Sequence, residues 1–238
     1  MTTDLMNPNL LAPLMIAPNE SPIEKMQSLK DYMAAFDKNC KPEPLAEALA
    51  FYETVLKGQI PEEFPLSLTD NRDFSVYTLA SGLHTRLNDE GYFARITKRT
   101  ARDLATEIGS GTVLDPMAGK GFGVKALREA GVRAIGSDDN SWDISNWIEK
   151  LDALDSLEKY GDSVDYLLIS WAPWGSEIDY DLLVMVRELY PHITIINIGE
   201  YNGCTGSRRF WETAETVSTR SIHYRNVYNI RDFVEFVK

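Results

Sequence analysis

The residues best suited to chemistry lie in one short glycine-rich segment, Asp115 to Gly123, in which an acid precedes closely spaced glycines. A short apolar run, 112–114, comes before it, and helical spacing of apolar residues begins at about Gly123. Glycines let the backbone turn tightly between a strand and a helix, so a ligand can approach bare backbone at the carboxyl end of the strand. The segment predicts a ligand site, although glycine turns also serve packing alone.

The spacing of the glycines distinguishes two classes of cofactor. A dinucleotide site would read G-x-G-x-x-G and place a third glycine where Val124 stands. The glycines here are Gly119, Gly121 and Gly123, and an acid, Asp115, stands four residues before the first. This pattern resembles the first motif of class I S-adenosylmethionine (SAM) methyltransferases, an acid followed by x-x-x-G-x-G. SAM has an ammonium group and no pyrophosphate, so its site needs an anion as well as backbone donors.

The resemblance implies roles for the whole segment. In the family, the glycine backbone lies along the amino acid moiety of SAM, and the acid or its neighbours reach the ammonium group. The cofactor contacts that the resemblance implies are Asp115, Pro116, Met117, Ala118, Gly119, Gly121 and Gly123.

The next apolar run ends in a carboxylate suited to the ribose of SAM. Asp138 stands about 20 residues beyond the turn, and a carboxylate at a strand end can accept both ribose hydroxyls. Asp139 is the near alternative. The alternative is an N-cap for the following helix, for which Asp139, Asn140 and Ser141 all qualify, so two interpretations stay open.

For adenine, the family uses a polar residue at the end of the third strand and an apolar side chain over the ring. Asp152 and Ala153 match that motif by position. Trp142 and Trp147 precede it, and either can stack on adenine or pack on a helix face.

We expect the methyl acceptor to bind where the fourth apolar run ends, at Ser170. Ser170 itself is placed among the cofactor contacts. The next residues read Trp-Ala-Pro-Trp-Gly and resemble the N/D/S-P-P-Y/F/W motif of enzymes that methylate amino groups of bases or glutamine. Pro173 and Trp174 fit its second half, but Ala172 replaces the first proline, and Trp171 has no acceptor oxygen. Exocyclic amino methylation is therefore disfavoured. The candidate catalytic residues Trp171, Pro173 and Trp174 form an aromatic mouth that suits a planar acceptor or a cation.

A polar, glycine-rich loop, 199–206, follows the fifth apolar run, at the same expected sheet edge. Glu200 is a candidate base or orienting group. Cys204 is a weaker candidate nucleophile, because no histidine lies near it in sequence. Together with the tryptophan segment, this loop resembles a little-characterised group of methyltransferase-like proteins with S-W-P-P-Y and G-G-C-T-G elements.

The elements that must position these residues alternate along the chain. Strands are predicted at 112–114, 132–136, 164–170 and 192–198, and helices at 123–130, 181–189 and 207–217. Such alternation favours βαβ units. Two further strands, 222–227 and 233–237, are expected to be antiparallel neighbours. The predicted fold is α/β, a Rossmann-like methyltransferase sheet, mainly parallel, with an antiparallel C-terminal strand pair.

The N-terminal part has a different pattern. Residues 1–20 are expected to be a flexible arm, 21–110 a helical extension, and 111–238 the SAM-binding domain. We expect the extension to cover the carboxyl ends of the strands, with Tyr77, His84 or Tyr92 near the acceptor. The alternative is that its helices cover the outer face of the sheet or form a dimer interface.

Composition restricts the partners. The net charge of −12 repels nucleic acid unless a basic patch overrides it, and it favours a small-molecule or peptidic acceptor. The basic candidates, for which a solvated face is the more common explanation, are Arg95, Lys98, Arg99, Arg102, Arg208 and Arg209. No apolar run approaches the length of a membrane span. Two distant cysteines, Cys40 and Cys204, favour reduced thiols in a cytoplasm over a disulfide or a metal site.

The sequence therefore predicts a cytoplasmic, SAM-dependent methyltransferase acting on a nitrogen or oxygen of a small-molecule or peptidic acceptor. The sequence is also compatible with a homo-oligomer. It is compatible with two other functions as well: a methyltransferase fold kept as a binding or regulatory module, and a nucleic-acid base methyltransferase, which would have to expose its target base.

Overall fold

The computed structural model describes residues 20–36, 42–69, 74–141, 145–201, 203–218, 222–226 and 230–238. The expected flexible arm therefore lies, except for Glu20, outside the described residues. The chain divides into two compact units, with the boundary between Tyr92 and Phe93.

The first unit is helical, as its apolar spacing predicts. Its helices are α1 (Pro22–Phe36), α2 (Pro42–Leu56) and α3 (Phe74–Asp89), with a 3-10 helix, Leu66–Thr69, between α2 and α3. A capping box begins α1: the Ser21 N–H donates to Glu24 at 2.7 Å, and the Glu24 N–H donates to Ser21 Oγ at 3.4 Å. Residues 21–24 all face solvent, and Ile23 among them is 82% exposed.

The second unit opens with α4 (Lys98–Ile108), which Thr97 caps and which ends at Gly109. The described residues then form one seven-stranded sheet in the order β3-β2-β1-β4-β5-β7-β6. Its strands are β1 (Thr112–Asp115), β2 (Arg133–Asp138), β3 (Glu149–Lys150), β4 (Tyr166–Ser170), β5 (Thr194–Gly199), β6 (Thr216–Ser218) and β7 (Phe233–Val237). The connecting helices are α5 (Phe122–Glu129), α6 (Ala153–Tyr160), α7 (Ile178–Leu189) and α8 (Arg208–Thr213).

Strands β1 to β5 pair in parallel, and β7 pairs antiparallel with both β5 and β6. The mainly parallel α/β sheet with an antiparallel C-terminal pair is confirmed. The position of that pair was predicted wrongly: 222–226 is not a strand, and the helix expected to reach Val217 ends at Thr213. Ala214 is extended, and Thr216 and Val217 are β-branched residues suited to the strand β6.

One side of the sheet packs on α7, which holds the parallel strands in place. Leu182, Leu183 and Val186 are buried there. Leu189 at the end of the helix is 62% exposed, whereas its neighbour Tyr190 is buried. No helix within the described ranges is both long and apolar enough to cross a membrane.

Candidate functional site

The predicted site residues come together at one edge of the sheet. β1 ends at Asp115, β2 at Asp138, β4 at Ser170 and β5 at Gly199. Because these strands are parallel neighbours, their carboxyl ends lie along the same edge, where open α/β sheets bind ligands.

The glycine turn after β1 is held by backbone hydrogen bonds. The Ala118 N–H donates to the Ser137 carbonyl at 2.9 Å, and the Gly121 N–H donates to the Ala118 carbonyl at 2.8 Å. Gly119 and Gly121 have φ values of 52° and 80°, which favour glycine. A Cβ on Gly119 would meet nothing within 4 Å, whereas a Cβ on Gly121 would lie 2.4 Å from the Trp147 ring. Gly121 therefore serves packing, and Gly119 leaves an open face of backbone.

Asp138, the last residue of β2, is hydrogen-bonded to the glycine turn. One carboxylate oxygen accepts the Gly119 N–H at 2.8 Å, and the other accepts the Asn140 N–H at 3.0 Å. The residue is 7% exposed. Asp139, the near alternative, is exposed, and its carboxylate accepts the Ser141 N–H at 2.7 Å. Hydrogen bonding with Ser141 lowers the pKa of Asp139. Asp138, not Asp139, therefore touches the turn.

Asp115 is the most buried acid of the turn, at 1% exposed. One of its oxygens accepts the Met117 N–H at 3.3 Å, and a Cβ on Gly123 would lie 3.4 Å from the other. Burial raises the pKa of Asp115 to about 7; the Met117 N–H opposes this rise, and the Asp138 carboxylate adds to it. Within the described part of the chain, neither carboxylate forms a salt bridge with lysine or arginine.

The residues expected at adenine have clear local functions. Asp152 is the N-cap of α6 and accepts the Leu154 N–H at 2.9 Å, while Ala153 is buried. The Trp147 ring packs on Gly121 and lies 5.3 Å beneath the Arg128 guanidinium. These contacts favour the packing interpretation for Trp147. Trp142 lies outside the described residues.

Trp171 begins the loop after β4 in an unusual backbone conformation, with a φ of 56°. Its N–H donates to the Ile198 carbonyl at 2.8 Å, and its indole Nε1–H donates to Asp232 at 2.6 Å. The Arg95 guanidinium lies 5.1 Å from the centre of the ring. The Trp171 side chain is thus held between a cation and an anion.

Asp232 was not found by sequence reasoning, because an isolated acid before the last strand carries no motif. The same oxygen that accepts the Trp171 Nε1–H also accepts the Tyr224 hydroxyl at 3.0 Å and the Asn226 side-chain amide at 2.8 Å. Burial raises the pKa of Asp232, and its hydrogen bond with Trp171 opposes this. Arg95 was grouped with basic residues for which a solvated face is the more common explanation, and this is wrong for Arg95, which is fully buried against Trp171.

The loops after β4 and β5 are joined to each other. Pro173 and Thr205 form an isolated antiparallel bridge, and the Gly206 N–H donates to the Ala172 carbonyl at 2.9 Å. The Trp174 side chain is 76% exposed. The two candidate acceptor segments are therefore one structure at the carboxyl edge, with an aromatic ring facing solvent.

Glu200 stabilises its own loop. One carboxylate oxygen accepts the Arg231 N–H at 3.0 Å, and the other accepts the Cys204 N–H at 3.4 Å. The Glu200 N–H donates to Thr205 Oγ1 at 2.7 Å. Cys204 is an exposed free cysteine. The structure thus gives Glu200 a role in holding its loop, at the position where a base or an orienting group was predicted.

The basic residues at the start of α8 are paired with acids. Arg208 forms a 2.6 Å salt bridge with Glu212, and Arg209 forms one of 2.6 Å with Glu177. Such pairing favours a solvated face over a phosphate site. Among the described residues there is no group of three or more His, Cys, Asp or Glu able to hold a metal ion.

Comparison with known proteins adds no family: the sequence matches no protein-family model, and no curated protein is significantly similar to it.

Proposed function

We propose that this chain is a SAM-dependent methyltransferase that transfers a methyl group to a nitrogen or oxygen of a small-molecule or peptidic acceptor. The observation that carries the proposal is the pair of neighbouring buried carboxylates, Asp115 and Asp138, on the glycine turn. Burying carboxylates without a cation is costly, and a ligand with an ammonium group would reduce that cost. A dinucleotide would instead bring its pyrophosphate against two acids.

The residues of the turn fit the parts of SAM. Gly119 offers open backbone for the amino acid moiety, and Asp115 offers an anion for the ammonium. Asp138 already accepts two backbone N–H groups, but a carboxylate has about four acceptor positions, which leaves capacity for ribose hydroxyls. When bound, SAM supplies a methyl group that its sulfonium already activates. The protein then has to orient the acceptor and exclude water.

The acceptor side consists of the two joined loops. Trp174 presents an exposed ring on which a planar acceptor can stack. Neither Trp171 nor Ala172 offers the side-chain oxygen that enzymes acting on exocyclic amines use. The sheet gives fold-level support, because a parallel sheet with an antiparallel C-terminal pair is the plan of the family that the glycine turn resembles.

A binding or regulatory module without transfer activity is the second candidate. It is favoured by the loop after β4, which departs from the acceptor motif: Ala172 replaces its first proline, and Trp171 offers no side-chain oxygen.

Calorimetric titration with SAM, followed by transfer of labelled methyl to fractions of a cell extract, tests both candidates. Heat and a thermal shift with SAM, together with label in one purified product, would establish the enzyme. Binding without any labelled product would favour the module. Absence of heat and of a thermal shift at millimolar SAM would refute the methyltransferase. Asp138→Ala serves as the control in which binding is expected to be lost.

A further inference from the structure

We propose that Asp232 is a positioning residue that, acting through Trp171, fixes the loop from Trp171 to Gly175. That this loop receives the methyl acceptor rests on the proposed function. The contact between the two residues does not, because the structure gives it directly: Trp171 Nε1–H donates to the Asp232 carboxylate at 2.6 Å.

Strand pairing places Asp232 at the edge of the sheet that carries the candidate site. Phe233, the first residue of β7, pairs with Gly199, the last residue of β5. Ser170, the last residue of β4, pairs with Ile198. Asp232 directly precedes β7, so its side chain enters at the point where β4 and β5 end. The final strand therefore brings a buried acid back to the site.

The conformation of Trp171 needs such support. A positive φ is rare for residues other than glycine and costs on the order of 1–3 kcal/mol unless the surroundings fix it. Three contacts do so: the Trp171 N–H bonds to Ile198, the indole bonds to Asp232, and the Arg95 guanidinium covers the ring. Arg95 itself has a φ of 42°, so two unusual backbone conformations are held by one cluster. Such clustering is typical of functional sites.

The cluster also compensates for a missing proline. In the motif that this loop resembles, two consecutive prolines restrict the backbone before the aromatic residue. Here the first proline is replaced by Ala172, which leaves the backbone freer. The bond between Trp171 and Asp232 restricts, through side chains, the same stretch that a proline would restrict through φ. The carbonyl of Ala172 then accepts the Gly206 N–H, which extends the restriction to the second loop.

Stability alone explains Asp232 poorly. One of its oxygens takes three donors, while the other, Oδ1, is buried and accepts no hydrogen bond from the described residues. Buried ionised groups that are incompletely bonded seldom stabilise a fold, and well-packed apolar residues often serve better. A carboxylate at this position is better explained by the orientation that it gives to Trp171.

The test is hydrogen exchange of the full chain, read at the amides of Trp171 and Gly206, which bond to Ile198 and Ala172. Asp232→Leu removes the acceptor, and Trp171→Phe removes the donor but keeps a ring for Arg95. Both variants should accelerate exchange at these amides by at least about tenfold, because the buried hydrogen bond between the indole and residue 232 is lost. Asp232→Asn keeps an acceptor oxygen and should stay within about threefold of the parent protein. The matched control is Glu235→Leu, which removes another hydrogen-bonded acid of β7.

Unchanged exchange in both Asp232→Leu and Trp171→Phe would overturn the proposal, as would Asp232→Asn exchanging as fast as Asp232→Leu. If Asp232→Leu does not fold, the comparison of Trp171→Phe with Asp232→Asn still tests the proposal: faster exchange in Trp171→Phe supports it, and equal exchange contradicts it. SAM calorimetry on the same proteins separates this inference from the proposed function. If the parent protein does not bind SAM, the proposed function is refuted, but the exchange result for Asp232 and Trp171 still stands. SAM affinity is expected to stay within about threefold in Asp232→Asn, because the glycine turn is not altered.

Discussion

The carboxylate of Asp138 accepts a 2.8 Å hydrogen bond from the backbone N–H of Gly119, which joins the end of β2 to the turn after β1. This contact fixes the carboxylate before any ligand arrives, and it leaves the open face of Gly119 beside it. A ligand that binds both groups therefore meets a preorganised site and loses little affinity to ordering it.

Replacing Asp138 with asparagine should weaken SAM binding by at least about tenfold, because a charge-assisted acceptor for the ribose hydroxyls is lost. Isothermal calorimetry measures this directly. The matched control is Asp139→Asn, which removes an exposed neighbouring acid whose hydrogen bonds with described residues are to Ser141 and Asp138 and not to the glycine turn. Equal losses in the two variants would show that general negative charge, and not the carboxylate at the turn, governs binding.

Replacing Asp115 with asparagine should stabilise the protein at pH 8 and have little effect at pH 4. The pKa of Asp115 is raised to about 7 in the folded state, above its ordinary value of 3.8. Between these values the folded chain holds a proton that the unfolded chain releases, so this group lowers stability as pH rises from about 4 to 7. Since one pKa unit corresponds to about 1.4 kcal/mol, the ionised Asp115 lowers the free energy of unfolding by at most about 4 kcal/mol.

Thermal unfolding of Asp115→Asn and its parent at the two pH values measures the effect, and SAM calorimetry measures its consequence for binding. We expect a higher melting temperature at pH 8 together with at least about tenfold weaker SAM binding, since the neutral amide cannot neutralise an ammonium. A loss of stability of the same size at both pH values would contradict this, and it would make Asp115 a structural acceptor for the Met117 N–H.

The parts of this site that the sequence predicts are those encoded locally. The turn of Gly119 and Gly121 and the acid after β2 follow from short-range patterns, because a strand, a tight turn and a helix must succeed one another there. The parallel sheet follows from the alternation of apolar runs and amphipathic helices. These patterns specify which residues end strands, and strand ends of a parallel sheet share an edge.

The contact between Trp171 and Asp232 joins residues that are 61 positions apart, and no local pattern signals it. It depends on how β7 returns beside β5. Arg95 was misplaced for a related reason: it was grouped with nearby basic residues as part of a solvated face, but it precedes α4 and its guanidinium covers Trp171. β6 was missed because three residues are too few to separate strand from helix by periodicity.

Alanine should affect stability and SAM binding differently at Gly119 and at Gly121. Gly121→Ala should destabilise the protein more than Gly119→Ala, because the new Cβ would lie 2.4 Å from the Trp147 ring and 2.8 Å from Ile148 Cδ1, so that both side chains would have to move. Gly119→Ala should cost only about 1–2 kcal/mol for the positive φ, because its Cβ meets nothing. That Cβ nevertheless projects from the face on which SAM is proposed to lie, so SAM binding should fall by at least about tenfold.

Chemical denaturation and SAM calorimetry on both variants test this pair. A Gly119→Ala protein that is stable and binds SAM as tightly as its parent would show that the open face is not part of the cofactor site. Gly131→Ala is the matched control, since Gly131 also has a positive φ and open space for a Cβ but lies outside the turn.

Removing the Glu200 side chain should loosen its loop and leave SAM binding unchanged. In Glu200→Ala, the Cys204 and Arg231 N–H groups lose their carboxylate acceptor, so their amides should exchange about five- to tenfold faster. Glu200→Gln keeps one acceptor oxygen and should lie between the variant and the parent. Glu212→Ala, which removes an acid paired with Arg208 on the surface, is the control. The prediction is contradicted if Glu200 is a catalytic base. In that case Glu200→Gln should exchange at the rate of the parent protein, while its rate of methyl transfer, once an acceptor is found, should fall by about 100-fold or more.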